Sequence, residues 1–76
     1  MITGKVVSIK GQIIEVEFLD QKPRFNDVLI LKDDPTVKME VYRSASPNSF
    51  FCLALTTVTK LHHSSPVVST FSAQRT

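Results

Sequence analysis

Apolar and polar positions alternate with a period of two in the first quarter of the chain. Three apolar residues are separated by two acidic ones in the run Ile14, Glu15, Val16, Glu17 and Phe18. This spacing is typical of a β-strand with one dry and one wet face. Residues 5–10 are rich in β-branched side chains, and Gly11 allows the positive φ that a tight turn needs. We therefore predict a β-hairpin over residues 2–18 with its turn at Lys10-Gly11.

Four further segments have strand character: residues 28–31, 37–43, 50–55 and 66–70. The second alternates, which places Val37, Met39 and Val41 on one face. The first is a short continuous apolar run, which favours a strand buried on both faces. The third is the most apolar stretch of the chain, and we expect it to be a central strand. Segments 32–36 and 44–48 each contain proline and read as turns, and 19–27 reads as a polar loop in which Phe25 is expected to anchor the loop to the core.

No window has the 3.6-residue period of an amphipathic helix. Six short strands around one small core leave two sheet edges exposed unless the sheet closes on itself. The predicted fold is therefore all-β, a small six-stranded antiparallel β-barrel that is closed or nearly closed. We expect the barrel to occupy residues 1–70 and residues 71–76 to form a frayed tail.

The amino-acid composition restricts the possible functions less than the alternation of apolar and polar residues restricts the fold. The 76 residues include 9 Lys and Arg against 7 Asp and Glu, a formal charge of +2. This excess is too small to indicate nucleic acid or an acidic membrane as the partner. The single cysteine, Cys52, cannot form an intramolecular disulfide, and no signal-like or 18-residue apolar segment is present. We expect a cytosolic-type compartment and no insertion into a membrane.

Residues that could support catalysis have simpler interpretations. Glu15 and Glu17 share one strand face, as acid–base pairs do, but a solvated face explains them as well. The adjacent pair His62-His63 points in opposite directions in an extended segment and would chelate one ion poorly. Cys52 lies in an apolar run, where a thiol is inert. With no glycine-rich phosphate loop either, we predict a non-enzyme with no catalytic, cofactor or metal residues.

Binding of single-stranded nucleic acid is the main alternative that the fold class leaves open, because small barrels bind it through surface aromatics beside basic residues. The candidates are Tyr42 with Arg43 and Lys38, and Phe25 with Arg24. The glutamates on the wet faces would repel phosphate, so this function is not favoured.

The hairpin sequence GKVVSIKGQIIEVEF at residues 4–18 resembles the opening of the β subunit of F-type ATP synthases, typically G-K-V-V-x-V-x-G-x-V-V-D-V-E-F. Shorter pieces extend the likeness over residues 2–70: Pro23–Leu29 resembles a proline-led loop into a strand, residues 39–41 resemble Leu-Glu-Val, and residues 52–55 resemble an Ile-Ala-Met segment. Leu61 and Val67-Val68 also fall in order. Lys60, His63-Ser64 and Phe71 depart from the family, which has glycine or Arg-Gly at those places.

The resemblance implies the N-terminal domain of that subunit, a six-stranded barrel that joins its neighbours in a crown above the nucleotide sites of a hexameric ring. The nucleotide loop and catalytic residues of the family belong to a later domain, so none is transferred to this chain. The implied partners are neighbouring α- and β-type subunits, and the implied location is the cytoplasm or the matrix or stromal side of an energy-coupling membrane.

The outward charges predicted to form the rim of such a contact are Glu15, Glu17, Lys38 and Glu40. Alone, the chain is expected to be a monomer or a weak homo-oligomer. A third reading is a stand-alone regulator that mimics a subunit and interferes with ring assembly.

Overall fold

The computed structural model describes residues 2–19, 21–57 and 59–69. These residues form six β-strands: β1 (Thr3–Lys10), β2 (Ile13–Glu17), β3 (Val28–Leu31), β4 (Asp34–Ser46), β5 (Ser49–Ala54) and β6 (Pro66–Ser69). The described part of the chain contains no helix, and so none that could cross a membrane. The tail predicted for 71–76 lies outside the described residues.

The strands close into one barrel in the order β1-β2-β5-β4-β3-β6, and each neighbouring pair is antiparallel. Closure depends on β6, which pairs with β1 on one side and β3 on the other. Val68 takes part in both pairings, opposite Thr3 of β1 and Ile30 of β3. This confirms the predicted all-β, six-stranded closed barrel. It also satisfies the backbone donors and acceptors that an open sheet would leave at its edges.

The barrel interior is filled by side chains from every strand and from Phe18 and Leu61 in the connecting segments. The fully buried residues with the largest side chains are Phe18, Ile14, Leu29, Met39, Val6, Val16, Val41 and Val67. The rings of Phe18 and Phe50 meet edge to face, 5.9 Å apart at 75°, an arrangement that aromatic pairs favour. The alternation that the sequence shows at 14–18 and 37–41 is therefore the alternation between the core and the outer surface.

Two glycines shape the β1–β2 hairpin for different reasons. Gly11 has φ 59° and starts the turn, a conformation that L side chains rarely adopt. Gly4 allows close approach: a Cβ built there would lie 2.7 Å from the Phe18 ring and 2.8 Å from the Glu17 carbonyl oxygen. The hairpin prediction is confirmed, with the turn at residues 11–12.

Strand β4 is longer than predicted at both ends. Asp34, Pro35 and Thr36 belong to the strand, so the turn before it is only Lys32-Asp33, and the turn after it is Pro47-Asn48. The pairing with β5 skips one residue at Tyr42 and another at Ala45. These irregularities are β-bulges, which interrupt the period of two and so hide the second half of the strand from pattern reading.

The prediction that Phe25 anchors its loop in the core is wrong: Phe25 is 58% exposed. Its ring only touches that of Phe50, 6.3 Å away at 67°. Pro23 and Asp27 are the buried residues of this loop. The Asp27 carboxylate accepts a hydrogen bond from the Arg24 backbone N–H at 2.8 Å, which closes the loop locally.

The prediction that β3 is buried on both faces is also wrong. Leu29 and Leu31 are buried, whereas Val28 and Ile30 are half-buried on the outer surface. In a small closed barrel only the inner face of a strand is covered by the rest of the fold.

Candidate interaction surface

The outer face of β5 is apolar although it lies on the surface. The inner face points Phe50, Cys52 and Ala54 into the core. The outer side chains form a stripe of three residues that continues past the end of the strand: Phe51, Leu53 and Leu55. Phe51 is half-buried, Leu53 is 40% exposed and Leu55 is 50% exposed. We call these three residues the β5 stripe. The sequence predicts a central strand here, and β5 is paired on both sides, with β2 and with β4.

The strand register places mixed neighbours on both sides of the β5 stripe. Leu53 lies between Ile13 of β2 and Glu40 of β4, and Phe51 lies between Glu15 of β2 and Arg43 of β4. Half-buried Ile13 widens the apolar area, and the other three neighbours are charged. An apolar centre with a charged border is the usual anatomy of a protein–protein contact surface.

A groove lies at the Phe51 end of the β5 stripe, beside the bulge in β4. Tyr42 is the extra residue, because Val41 pairs with Cys52 while Arg43 pairs with Phe51. Two consecutive side chains, Tyr42 and Arg43, are consequently exposed. The groove has a volume of about 370 Å³ and is lined by Ser8, Lys10, Ile13, Glu15, Tyr42, Arg43 and Phe51.

Arg43 occupies a defined position in this groove. Its guanidinium carbon is 5.7 Å from the centroid of the Tyr42 ring and 5.7 Å from that of Phe51. Both distances are within the range in which a cation is attracted to the face of an aromatic ring. On the opposite wall the Glu15 carboxylate accepts a hydrogen bond from the Ser49 hydroxyl at 2.8 Å.

The four charged residues predicted for a contact rim separate into two places. Glu15 lines the groove, Glu40 is beside Leu53, and Lys38 is beside Leu55, whose backbone N–H donates to the Lys38 carbonyl at 2.9 Å. These three surround the β5 stripe. Glu17 lies apart from them, at the far end of β2, in a shallow depression with Thr3, Gly4, Lys5 and Leu19.

The aromatic and basic residues considered for nucleic acid also separate. Tyr42 and Arg43 lie together in the groove. Lys38 lies farther along β4, and Phe25 contacts Phe50 rather than Tyr42. Sequence reasoning missed Phe51, Leu53, Ile13 and Lys10 as surface residues. The only available signal was the excess of apolar residues in the run 50–55, which a single buried face cannot accommodate.

The residues considered for catalysis lie in separate places among the described residues. Burial raises the pKa of Cys52 from its ordinary value of 9.0 to about 12, so its reactive thiolate form is suppressed. His62 and His63 are exposed, and the Ser64 hydroxyl is 3.0 Å from His63 Nδ1 within one surface turn. Among residues 2–19, 21–57 and 59–69, no three His, Cys, Asp or Glu side chains come together as a metal site would require.

No protein-family model matches this sequence, and a comparison with curated proteins returned no match either.

Proposed function

We propose that this chain is a non-catalytic assembly domain that packs the β5 stripe against a neighbouring barrel. The resemblance of its hairpin to the F-type ATP synthase β subunit suggests the setting, the crown of a ring in which α- and β-type subunits alternate. In that setting the barrel stabilises the ring, and ATP synthesis coupled to proton transport belongs to the whole complex. The observation that supports the proposal is the apolar outer face of β5 with its charged border.

Burial of the β5 stripe by a partner is expected to be energetically favourable. Removing apolar surface from water stabilises by roughly 25 cal/mol per Å². A single-core domain of this size has only about 3–5 kcal/mol of folding stability. Covering Phe51, Leu53 and Leu55 would therefore add an amount comparable with the stability of the barrel itself. Ligand-linked stabilisation of this kind is expected whenever a partner binds the folded state alone.

Single-stranded nucleic acid is the second candidate, and the position of Arg43 between two aromatic rings favours it. Bases stack on exposed aromatic side chains, and cations hold the backbone. Glu15 and Glu40 lie on the same surface, however, and would oppose a polyanion. The assembly function accounts for the rest of the β5 stripe as well as for the groove, and so it is preferred.

The test is a binding measurement between the full chain and purified α- and β-type ATP synthase subunits from the same organism, by sedimentation velocity and isothermal calorimetry. We expect saturable binding to at least one of the two. The variant Leu53→Asp should weaken this binding at least about tenfold, because it would bury an unpaired carboxylate in the contact.

The matched control is Leu19→Asp, since Leu19 is even more exposed and lies at the opposite end of β2 from Leu53. This variant should leave binding unchanged, and both variants should retain the folded spectrum of the parent. If the chain binds neither subunit, or if both variants lose the same amount of affinity, the proposal is contradicted. Tight binding of octathymidylate with a steep dependence on salt would instead support the nucleic-acid function.

A further inference from the structure

The groove beside Phe51 contains a guanidinium that is positioned before any partner binds. Arg43 is held 5.7 Å from the centroids of both the Tyr42 and Phe51 rings. These two ring contacts restrict the position of the guanidinium, whose N–H edge matches a carboxylate in a two-point hydrogen bond. An arginine held in place loses less conformational entropy on binding than a free one.

The positive charge in this groove is only partly balanced by the described part of the chain, because Lys10 and Arg43 share the groove with one carboxylate. Within the described residues an ion pair joins Lys60 to Asp34, which lie outside the groove. Neither Arg43 nor Lys10 lies within ion-pair distance of a carboxylate of the described residues. Glu15, the acidic residue of the groove, is hydrogen-bonded to Ser49. The lining of this cavity of about 370 Å³ thus carries two positive charges and one negative charge, an excess that suits one carboxylate but not a series of phosphates.

We propose that the groove receives an aspartate or glutamate side chain from an acidic segment of the partner protein. Arg43 pairs with the carboxylate through two hydrogen bonds, and Lys10 adds a second positive charge. The apolar residues next to that carboxylate pack on Phe51 and Leu53. This proposal rests on the assembly function and specifies the chemistry of the partner.

A protein carboxylate fits the groove better than the phosphates of a nucleic acid. A nucleic-acid strand would continue along the surface past Glu15 and Glu40, where successive phosphates would be repelled. An acidic residue flanked by apolar ones instead places its single charge on Arg43 and its neighbours on the β5 stripe. Charge complementarity of this kind selects the partner and its orientation.

The experiment is a titration of the ¹⁵N-labelled chain, followed by the Arg43 Nε–H signal and the backbone amide signals of Phe51 and Leu53. The probes are the acetylated and amidated peptides Leu-Glu-Leu-Glu-Leu and Leu-Gln-Leu-Gln-Leu. We expect the glutamate peptide to move all three signals at a concentration about tenfold lower than the glutamine peptide, because a charge-assisted pair is stronger than a neutral one.

The variant Arg43→Gln should abolish the difference between the two peptides, and Arg43→Lys should retain only part of it. Equal affinity of the two peptides, no response to either, or tighter binding of octathymidylate at the same signals would each overturn this inference. A failure of the groove proposal can be told apart from a failure of the assembly function. If Leu53→Asp still abolishes subunit binding while Arg43→Gln has no effect, the β5 stripe is the contact and the groove is not.

Discussion

β2 and β5 are neighbours paired over five residues, yet most of their outer side chains differ in chemistry. Inside the barrel, Ile14 of β2 is opposite Cys52 of β5, and both are fully buried. Outside, β2 presents Glu15 and Glu17 after a single apolar residue, Ile13, whereas β5 presents the β5 stripe. The same fold therefore places a charged strand and an apolar strand side by side in water.

This difference separates what the fold needs from what it does not. The inner faces of both strands carry apolar side chains because both must fill the barrel interior. An outer face has no such requirement, and charged residues there favour solubility. Adjacent exposed apolar side chains on β5 contribute nothing to the core, and contiguous patches of this kind mark interaction sites more often than scattered ones do. The contrast between the two strands is thus the main support for the proposed contact through β5.

The strongest test of the contrast compares two consecutive isoleucines on β2. Ile14 is fully buried, and Ile13 is half-buried on the outer face. We expect Ile14→Ala to lower the free energy of unfolding by about 2–5 kcal/mol, because it leaves a cavity in the core. In a domain with about 3–5 kcal/mol in total, a loss at the upper end of this range would unfold most of the molecules.

Ile13→Ala is the matched variant and should cost less than about 1 kcal/mol, since it removes only part of an exposed contact. Urea denaturation followed by circular dichroism measures both values. Equal losses from the two variants would mean that the outer face is as important for folding as the inner one, and the argument from the contrast would fail.

The fold was predictable from the sequence because alternation reports which face is dry. Glycine at 11 and prolines at 35 and 47 marked the breaks between strands to within a few residues. The surface was not predictable in the same way. A continuous apolar run such as 50–55 indicates that both faces of the strand are apolar. It does not indicate whether both faces are buried within the same chain. The bulge at Tyr42 was hidden for a related reason, since one inserted residue shifts the alternation without altering composition.

A second test adds volume to the core instead of removing it. Gly4→Ala places a methyl group 2.7 Å from the Phe18 ring, which is fully buried at the end of β2. We expect a loss of about 1–3 kcal/mol from overpacking. The measurement is a denaturation curve for Gly4→Ala, for Phe18→Leu and for the double variant. The two changes should interact by at least about 0.5 kcal/mol, because the smaller side chain relieves the clash.

Gly11→Ala provides the comparison, since nothing lies within 4 Å of a Cβ at that position. Its cost, about 1–2 kcal/mol, comes from the positive φ alone. Gly11→Asn should recover part of it, and Phe18→Leu should not. If Phe18→Leu restored the stability of Gly11→Ala as well as that of Gly4→Ala, its effect could not be attributed to the close approach of β1 to the core.

The smallest effect is expected from the exposed ion pair between Asp34 and Lys60, which tests whether surface charge contributes to folding at all. The hydrogen bond from Lys60, supported by those from Thr36, lowers the pKa of Asp34 from 3.8 to about 2. A carboxyl group with a lowered pKa stabilises the folded state above pH 3.8, and this contribution is lost as the pH falls toward 2. Lys60→Ala should therefore raise the pKa of Asp34 toward 3.8, as measured by the chemical shift of its carboxyl carbon. It should leave the free energy of unfolding at pH 7 almost unchanged, because exposed ion pairs are weak. A loss at pH 7 as large as that from Gly4→Ala would show that charged surface residues do support this barrel, and the outer face of β2 could then no longer be treated as passive.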